Sequence, residues 1–117
     1  MKPAIDNFLP LAPATLHILL SLAGEKMYGY AIMQEVARQS EGRVKLGPGT
    51  LYDNLQRLMK QGLVEEVAGR SAEDNSRRRY YRLTGMGRGV LTAEIDRLRD
   101  VVYHAEAQMK SLRPRRA

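Results

Sequence analysis

An apolar stripe runs along the last quarter of the chain and restricts the folds open to it. Seven apolar residues recur there at alternating spacings of four and three: Leu91, Ile95, Leu98, Val102, Ala105, Met109 and Leu112. This heptad pattern predicts one long helix with a continuous apolar seam. A helix of about 25 residues is about 37 Å long, more than the rest of so small a domain could cover. A helix lying wholly on its own domain is the alternative, but the length favours an interface between two copies of the chain.

The composition is that of a single soluble domain. The chain has 117 residues, of which 44% are hydrophobic and 27% charged, a balance typical of globular proteins. It contains no Cys, which excludes disulfides, thiolate metal sites and Cys nucleophiles. Its apolar runs stay well short of the ~18 residues of a membrane span, and its first residues have no signal-peptide character. We therefore expect a cytoplasmic protein without a membrane segment.

The chain is basic, and its excess positive charge is concentrated in the middle. Lys and Arg number 19 against 13 Asp and Glu, a net charge of +6. Residues 77–82 contain four Arg and no acidic residue. A solvated surface usually mixes the two signs, so this segment predicts a surface that faces an anionic partner, either nucleic acid or a membrane. A membrane is less favoured, because the last helix has no Trp or Phe to anchor it.

Apolar spacing predicts three helices in the first half of the chain. Residues 12–23 and 28–39 repeat apolar side chains at spacings of three and four, which is typical of amphipathic helices. Residues 43–46 alternate basic and apolar side chains and predict a very short strand. A third helix begins at Pro48, since Pro suits the first helical turn, and it ends at Gly62.

A hairpin and the long helix account for the second half. Residues 63–67 and 79–83 have the composition of strands, and they bracket a turn-rich, charged loop, which predicts a β-hairpin. Thr84 is the predicted N-cap of the last helix. Three helices, a hairpin and a long helix make a mostly α fold with a small hairpin, the winged helix-turn-helix. We expect a winged unit over 1–84, followed by a dimerisation helix and basic tail over 85–117.

This fold predicts binding to double-stranded DNA, because the N-terminal turn of one helix fits the major groove. Gly49 would let the backbone approach a phosphate at the start of that helix. Thr50 and Tyr52 offer hydroxyls, Asn54 offers an amide that can pair with adenine, and Gln56 or Arg57 could reach flanking positions. The hairpin offers a set of arginines suited to the phosphate backbone or a narrow minor groove: Arg70, Arg77, Arg78 and Arg79.

Other function classes have less support. The second candidate is a protein-interaction adaptor whose basic hairpin docks on an acidic partner, but such an adaptor needs no base-reading face on the third helix. An enzyme is not expected, because the chain has no Ser/His/Asp arrangement, phosphate-loop pattern or carboxylate pair in an apolar setting. His104 has no partner at ligand spacing, so we expect no metal site and no cofactor.

Several segments resemble the PadR family of transcriptional regulators over about residues 11–91. They are Tyr28-Gly29-Tyr30-Ala31-Ile32, Leu46-Gly47-Pro48-Gly49-Thr50-Leu51-Tyr52, Leu55-Gln56-Arg57-Leu58, Gly62-Leu63-Val64-Glu65 and Arg79-Tyr80-Tyr81-Arg82-Leu83-Thr84. The resemblance implies a homodimeric repressor that binds a palindromic operator and is released by a small aromatic or hydrophobic effector.

The resemblance also implies roles for individual residues. Thr50 and Tyr52 correspond to residues of the family's recognition helix, and Tyr30 to a Tyr that meets a phosphate. Arg79 and Tyr81 correspond to the base of the wing. Some members hold flat ligands between Trp residues of the last helix. This chain has no Trp, so an effector has to use other contacts.

Overall fold

Four α-helices and a small antiparallel sheet form the computed structural model, which describes residues 4–68 and 78–111. A 3-10 turn at Ile5–Phe8 precedes α1 (Pro13–Ser21), β1 (Met27–Tyr28), α2 (Gly29–Gln39), α3 (Pro48–Lys60), β2 (Val64–Val67), β3 (Tyr80–Leu83) and α4 (Gly85–Ser111). The predicted fold class, mostly α with a hairpin and a long last helix, is confirmed.

The third helix begins and ends where the sequence predicts. Pro48 lies in its first turn, where a missing N–H costs no hydrogen bond. At the other end Gly62 has φ +79°. The N–H groups of Gly62 and Leu63 donate to the carbonyls of Met59 and Leu58 over 3.0 and 2.9 Å. This Schellman arrangement ends α3 and directs the chain at once into β2.

The sheet has the strand order β1–β3–β2. Strands β2 and β3 form the predicted hairpin, with Val67 opposite Tyr80. The third strand is β1, in which Met27 pairs with Tyr81. A strand of two residues is too short to show a period-two pattern, so the sequence did not reveal it.

The predicted strand over residues 43–46 is wrong. This described segment pairs with no other strand and leads directly into α3. The Val44 N–H donates to Ser40 Oγ over 2.9 Å, and the Ser40 hydroxyl donates to the Val44 carbonyl over 3.2 Å. The hydroxyl therefore satisfies backbone groups that a neighbouring strand would otherwise pair, while the side chains at 43 and 45 face solvent.

One apolar core joins the helices to the sheet. Its buried side chains come from α1, α2, α3, the sheet, the adjoining turns and the first turns of α4: Ile18, Leu19, Leu22, Ile32, Val36, Leu51, Leu55, Leu58, Leu63, Val64, Tyr81, Leu83, Val90 and Leu91. Each buried Leu or Ile stabilises the fold by about 1.5–3 kcal/mol. The core holds α3 by its apolar stripe, so the opposite, polar face of α3 is directed outward.

The first turns of α4 pack closely on the start of β2. Thr84 is the N-cap, as predicted: its Oγ1 accepts the Gly87 N–H over 3.0 Å and donates to the Gly62 carbonyl over 2.6 Å. A Cβ added at Gly87 would lie 2.0 Å from the Leu63 carbonyl oxygen. Only Gly permits this approach, which fixes the position of the first turns of α4 on the winged unit.

The apolar stripe of α4 divides into two parts, the first of which was predicted wrongly. Leu91 is buried in the core of its own subunit and Ile95 packs against that core. Leu91 is therefore not available to a partner, whereas Ile95 is only partly covered by its own subunit. The physical reason is that the first turns of α4 lie across the winged unit, whose apolar residues cover them. Leu98, one turn further on, is half-buried.

The second part of the stripe projects beyond the winged unit. Every residue from 99 to 111 is exposed, including Val102 at 53%, Met109 at 67% and Ala105. Leu112, the last predicted interface residue, lies outside the described residues. Across the two described ranges, no helix has the length and apolar character needed to span a bilayer.

A buried carboxylate lies where α4 leaves the winged unit. Glu94 is 1% exposed and accepts the Leu11 N–H over 3.0 Å. Arg97 donates to its two carboxylate oxygens over 2.6 and 3.0 Å. The hydrogen bonds from Arg97, and to a smaller extent the one from Leu11, hold the pKa of Glu94 below its usual value, although burial acts to raise this pKa. Glu94 thus attaches the N-terminal segment to α4.

Candidate nucleic-acid interface

The N-terminal half of α3 presents a polar, solvent-facing surface. Gly49, Thr50 and Tyr52 are exposed, whereas Leu51 and Leu55 on the opposite face are buried in the core. Helix α3 packs against α2, which gives the helix-turn-helix pair. This exposed turn carries the hydroxyls that were predicted to meet bases, at a helix end that also favours anions.

Asn54, predicted to pair with adenine, instead faces inward and is only 8% exposed. Its amide nitrogen donates to the Thr50 carbonyl over 2.9 Å. Its Oδ1 accepts the Thr15 hydroxyl over 3.2 Å and an Arg57 N–H over 3.3 Å. These bonds join α3 to α1 and leave the amide away from the surface, so the prediction of a base contact is wrong.

Tyr52 lies across the beginning of α2. A Cβ built on Gly29, the first residue of α2, would lie 2.3 Å from the Tyr52 hydroxyl oxygen. The absence of a side chain at Gly29 therefore makes room for the phenol. The ring remains 43% exposed, so its hydroxyl lies at the surface beside the positive end of the α2 dipole.

A cleft of about 380 Å³ opens between the start of α2, the first turns of α3 and the base of the hairpin. We call it the tyrosine–arginine cleft; its walls are formed by Tyr28, Gly29, Tyr52, Arg78, Arg79 and Tyr81. The Arg78 guanidinium lies 4.4 Å from the centre of the Tyr28 ring, within the range of a cation–π contact. Arg79 lies 4.0 Å from Glu66, so its charge is partly balanced. The cleft thus combines cations, hydroxyls and a helix N-terminus.

Tyr81 contributes to this cleft from within the core. It is buried, and burial raises the pKa of its phenol, with smaller contributions from Tyr52 and Glu66. Most of the Tyr81 side chain is therefore covered by the core, and it reaches the predicted site at the base of the wing only as part of the cleft wall. On β3 it alternates with its neighbour, and its inward position places it under the cleft.

The other predicted contact residues lie at the surface wherever the structure describes them. Tyr30, on the first turn of α2, and Arg57, on α3, are both exposed, as are Arg78 and Arg79. Arg70 and Arg77 lie outside the described residues.

Two residues to which the sequence assigned no individual role support the hairpin. Lys26 donates to the Ala68 carbonyl over 2.8 Å, and its ammonium lies 5.5 Å from the centre of the Tyr80 ring. Tyr28 meets Tyr80 edge to face, with the ring centres 5.6 Å apart. Both precede α2 and reach the hairpin only through the short strand β1, for which the sequence carries no signal.

The exposed end of α4 forms a second candidate contact surface. Val102 and Met109 line a shallow apolar groove together with Ala105 and the stems of Glu106 and Lys110. Exposed apolar residues at heptad spacing are typical of helix–helix interfaces. His104 packs edge to face with Tyr103, and within the two described ranges no cluster of three or more His, Asp or Glu could hold a metal ion.

The sequence is similar to those of known transcriptional regulators. The model of the "Transcriptional regulator PadR-like family" matches residues 18–93. A transcriptional regulator of Mycobacterium tuberculosis is 37% identical over 83 residues, which are 71% of this chain and 73% of that protein.

Solved structures of bacterial transcriptional regulators have a similar fold. The crystal structure of a PadR family transcription regulator from Clostridium difficile has a TM-score of 0.67 and 25% identity, covering 84% of this chain and 99% of the other. A PadR-like transcriptional regulator from Bacillus cereus has a TM-score of 0.69 and 23% identity, covering 82% and 90%, and supports the fold.

Proposed function

Because the chain belongs to the PadR-like family of transcriptional regulators, we propose that it is a homodimeric repressor that binds a palindromic operator in double-stranded DNA. The observation that carries this proposal is the position of the exposed turn of α3 next to the tyrosine–arginine cleft. A base-reading helix and a cationic backbone site thereby face the same side of the molecule. We place the repressor in the cytoplasm, where it meets the chromosome.

In this proposal the first turn of α3 enters the major groove. Gly49 brings the backbone close to the duplex, and the hydroxyls of Thr50 and Tyr52 face the base edges. Arg57 extends from the same helix toward a flanking position. A hydroxyl both donates and accepts, so it contributes to base discrimination together with shape rather than through a fixed code.

The tyrosine–arginine cleft is proposed to hold a DNA phosphate. The start of α2 supplies backbone N–H groups, since its N-cap Tyr28 makes no side-chain cap bond. Tyr52 supplies a hydroxyl above Gly29, and Arg78 supplies a cation held over an aromatic ring. Tyr30 is exposed on the same turn of α2 and is proposed to contact the DNA backbone. Contacts of this kind fix the register of α3 on the duplex without reading sequence.

Dimerisation is proposed to use the exposed end of α4. A single α3 with one hairpin buries too little surface for typical operator affinity, and two half-sites overcome this limit. The apolar side chains of Val102, Ala105 and Met109 need a partner that residues 4–68 and 78–111 of their own subunit do not provide. We assign DNA binding to residues 1–84 and dimerisation to 85–117, with the first turns of α4 packed on the winged unit. We also propose release by a small hydrophobic effector.

Selection of DNA fragments by the purified protein, followed by sequencing and footprinting, tests this function. We expect a sequence with two-fold symmetry whose half-sites lie about one helical turn apart. If each subunit neutralises about four phosphates, the logarithm of affinity should fall with the logarithm of salt concentration with a slope near −7. Failure to enrich any sequence, with a slope near zero, would favour the adaptor instead.

A further inference from the structure

Residues 26–29, at the junction of β1 and α2, contact both elements that are proposed to bind DNA. Gly29, the first residue of α2, lies directly against the Tyr52 hydroxyl of α3. Its neighbour Tyr28 faces the hairpin instead, and the Arg78 guanidinium lies 4.4 Å from the centre of its ring. Two consecutive residues of this junction therefore link the first turns of α3 to the base of the hairpin.

Two cations and two aromatic rings form a continuous group on the hairpin side of the junction, which we call the cation–tyrosine cluster. Tyr28 and Tyr80 stand opposite each other on β1 and β3, with their ring centres 5.6 Å apart. The Lys26 ammonium lies 5.5 Å from the centre of the Tyr80 ring and donates to the Ala68 carbonyl over 2.8 Å. The second cation is Arg78, over the Tyr28 ring. Ala68 follows β2 and Arg78 precedes β3, so the cluster holds both arms of the hairpin.

The cation–tyrosine cluster orients the hairpin rather than building the core. A two-stranded hairpin alone is marginally stable, so its orientation depends on what it packs against. The core holds β3 through the buried side chains of Tyr81 and Leu83, whereas the cluster lies at the start of β3, nearer the hairpin loop. Each cation–aromatic contact at a partly exposed site shifts an equilibrium by about two- to fivefold. Two such contacts and a hydrogen bond therefore favour one orientation of the hairpin without determining whether the domain folds.

We propose that Lys26 and Tyr28 are positioning residues for DNA binding: they set the distance between α3 and the hairpin, and so place Arg78 on the DNA backbone. This role rests on the proposed function, since it requires that both elements meet one duplex. Both residues have partners within the protein, because the Lys26 ammonium is bonded to a backbone carbonyl and one face of the Tyr28 ring is covered by Arg78. Holding Arg78 in place before binding lowers the entropy cost of ordering it on DNA.

The DNA-free protein tests whether the cluster holds Arg78. In wild type, NMR should find the Arg78 side-chain protons shifted upfield by the ring current of Tyr28. Tyr28→Leu should remove this shift, whereas Tyr28→Phe, which keeps the ring, should retain it. Lys26→Met should alter the resonances of Ala68, and Lys60→Met, which deletes an exposed charge outside the cluster, should not. Arg78 protons at ordinary positions in wild type would overturn the proposal.

Fluorescence anisotropy with the selected operator tests the effect on DNA binding. Tyr28→Leu and Lys26→Met should each weaken binding about threefold to tenfold. Tyr28→Phe and Lys26→Arg, which keep the ring and the cation, should recover most of the affinity. Lys60→Met measures the loss expected from removing one surface charge alone. In a double-mutant cycle both losses should largely disappear on an Arg78→Gln background, because Arg78 is the group that Lys26 and Tyr28 position.

Two outcomes would overturn the positioning role while leaving the proposed function intact. One is operator binding by Tyr28→Leu and Lys26→Met that matches wild type. The other is a pair of losses that add fully to the loss from Arg78→Gln, which would mean that Lys26 and Tyr28 contact the DNA themselves. A protein that binds no DNA fragment would instead refute the proposed function, and the positioning role with it.

Discussion

Helices α3 and α4 each carry a face that the sequence predicts to meet a partner. The rest of the domain covers these two faces to different extents. On α3 the polar face remains open except at Asn54, which turns inward to Thr15 and Arg57. On α4 the first part of the apolar stripe is absorbed into the core, and only the part beyond Leu98 is open. A helix face therefore becomes a contact surface only where the rest of the domain leaves it uncovered.

The sharpest test of this difference lies within the stripe of α4. Leu91→Ala should lower the free energy of unfolding by about 2–5 kcal/mol, because it opens a cavity in the core. Val102→Ala, the matched change at an exposed heptad position, should cost less than about 1 kcal/mol in a dilute, monomeric sample. Chemical denaturation monitored by circular dichroism measures both. Similar losses at low concentration would show that the two parts of the stripe do not differ.

The open part of α4 can be tested without disturbing the core. Val102→Glu combined with Met109→Glu should raise the dimer dissociation constant about 100-fold or more, since association would bury two unpaired charges from each subunit. Sedimentation equilibrium measures the constant. Gln108→Glu adds a charge off the stripe and should leave the dimer intact. A double variant that still dimerises normally would move the interface elsewhere.

The division of the α3 face into inward and outward side chains is tested by truncating one residue of each kind. Asn54→Ala should lower the free energy of unfolding by about 1–3 kcal/mol, because it leaves buried partners unsatisfied. Tyr52→Ala should leave stability nearly unchanged but weaken operator binding about tenfold or more. Denaturation and fluorescence anisotropy with the selected operator give the two quantities. The reverse pattern, with Asn54 needed only for DNA, would restore it as a base contact.

The smallest effect is expected at Glu94, where the two parts of α4 meet. Glu94→Gln should cost about 1–2 kcal/mol at pH 7, because the ionic bonds from Arg97 are lost. The folded-state pKa of Glu94 lies below its ordinary 4.5. Its contribution is therefore full above pH 4.5 and declines as the pH falls through the lower, folded-state pKa.

The measurement is the stability of wild type and Glu94→Gln as a function of pH. The difference between them should shrink below pH 4.5. Gln can still accept the Leu11 N–H, so the variant separates the charge from the backbone bond. A difference that stays constant down to pH 2 would mean that the carboxylate charge contributes nothing.

Local chemistry made much of the fold predictable. Pro48, Gly62 and Thr84 mark helix ends through groups within a few residues of themselves, and the structure confirms each. The two failures have different causes. Strand β1 exists only because β3, far along the chain, lies beside it. At 43–46 the alternation predicts a strand that does not form, because the nearby Ser40 hydroxyl takes backbone bonds that a neighbouring strand would need.

Dependence on distant segments also limits what the sequence predicts of the candidate site. Periodicity identified α3 and its exposed hydroxyls, but it did not reveal that Tyr52 would lie over Gly29, since that contact joins two helices. It did not reveal the cavity between the N-terminal segment and α3 either, because its lining residues Phe8 and Leu58 come from separate elements. No pattern within either segment refers to the other.

By itself, the sequence determined the order and type of the main elements, the direction of each apolar face and the location of the positive charge. The tertiary structure decided which residues on those faces remain open. A repeat of three or four residues fixes only the angle of a side chain around its own helix. Whether that side chain is covered depends on distant segments, as with Thr15 against Asn54, 39 residues apart, and Leu11 against Glu94, 83 residues apart.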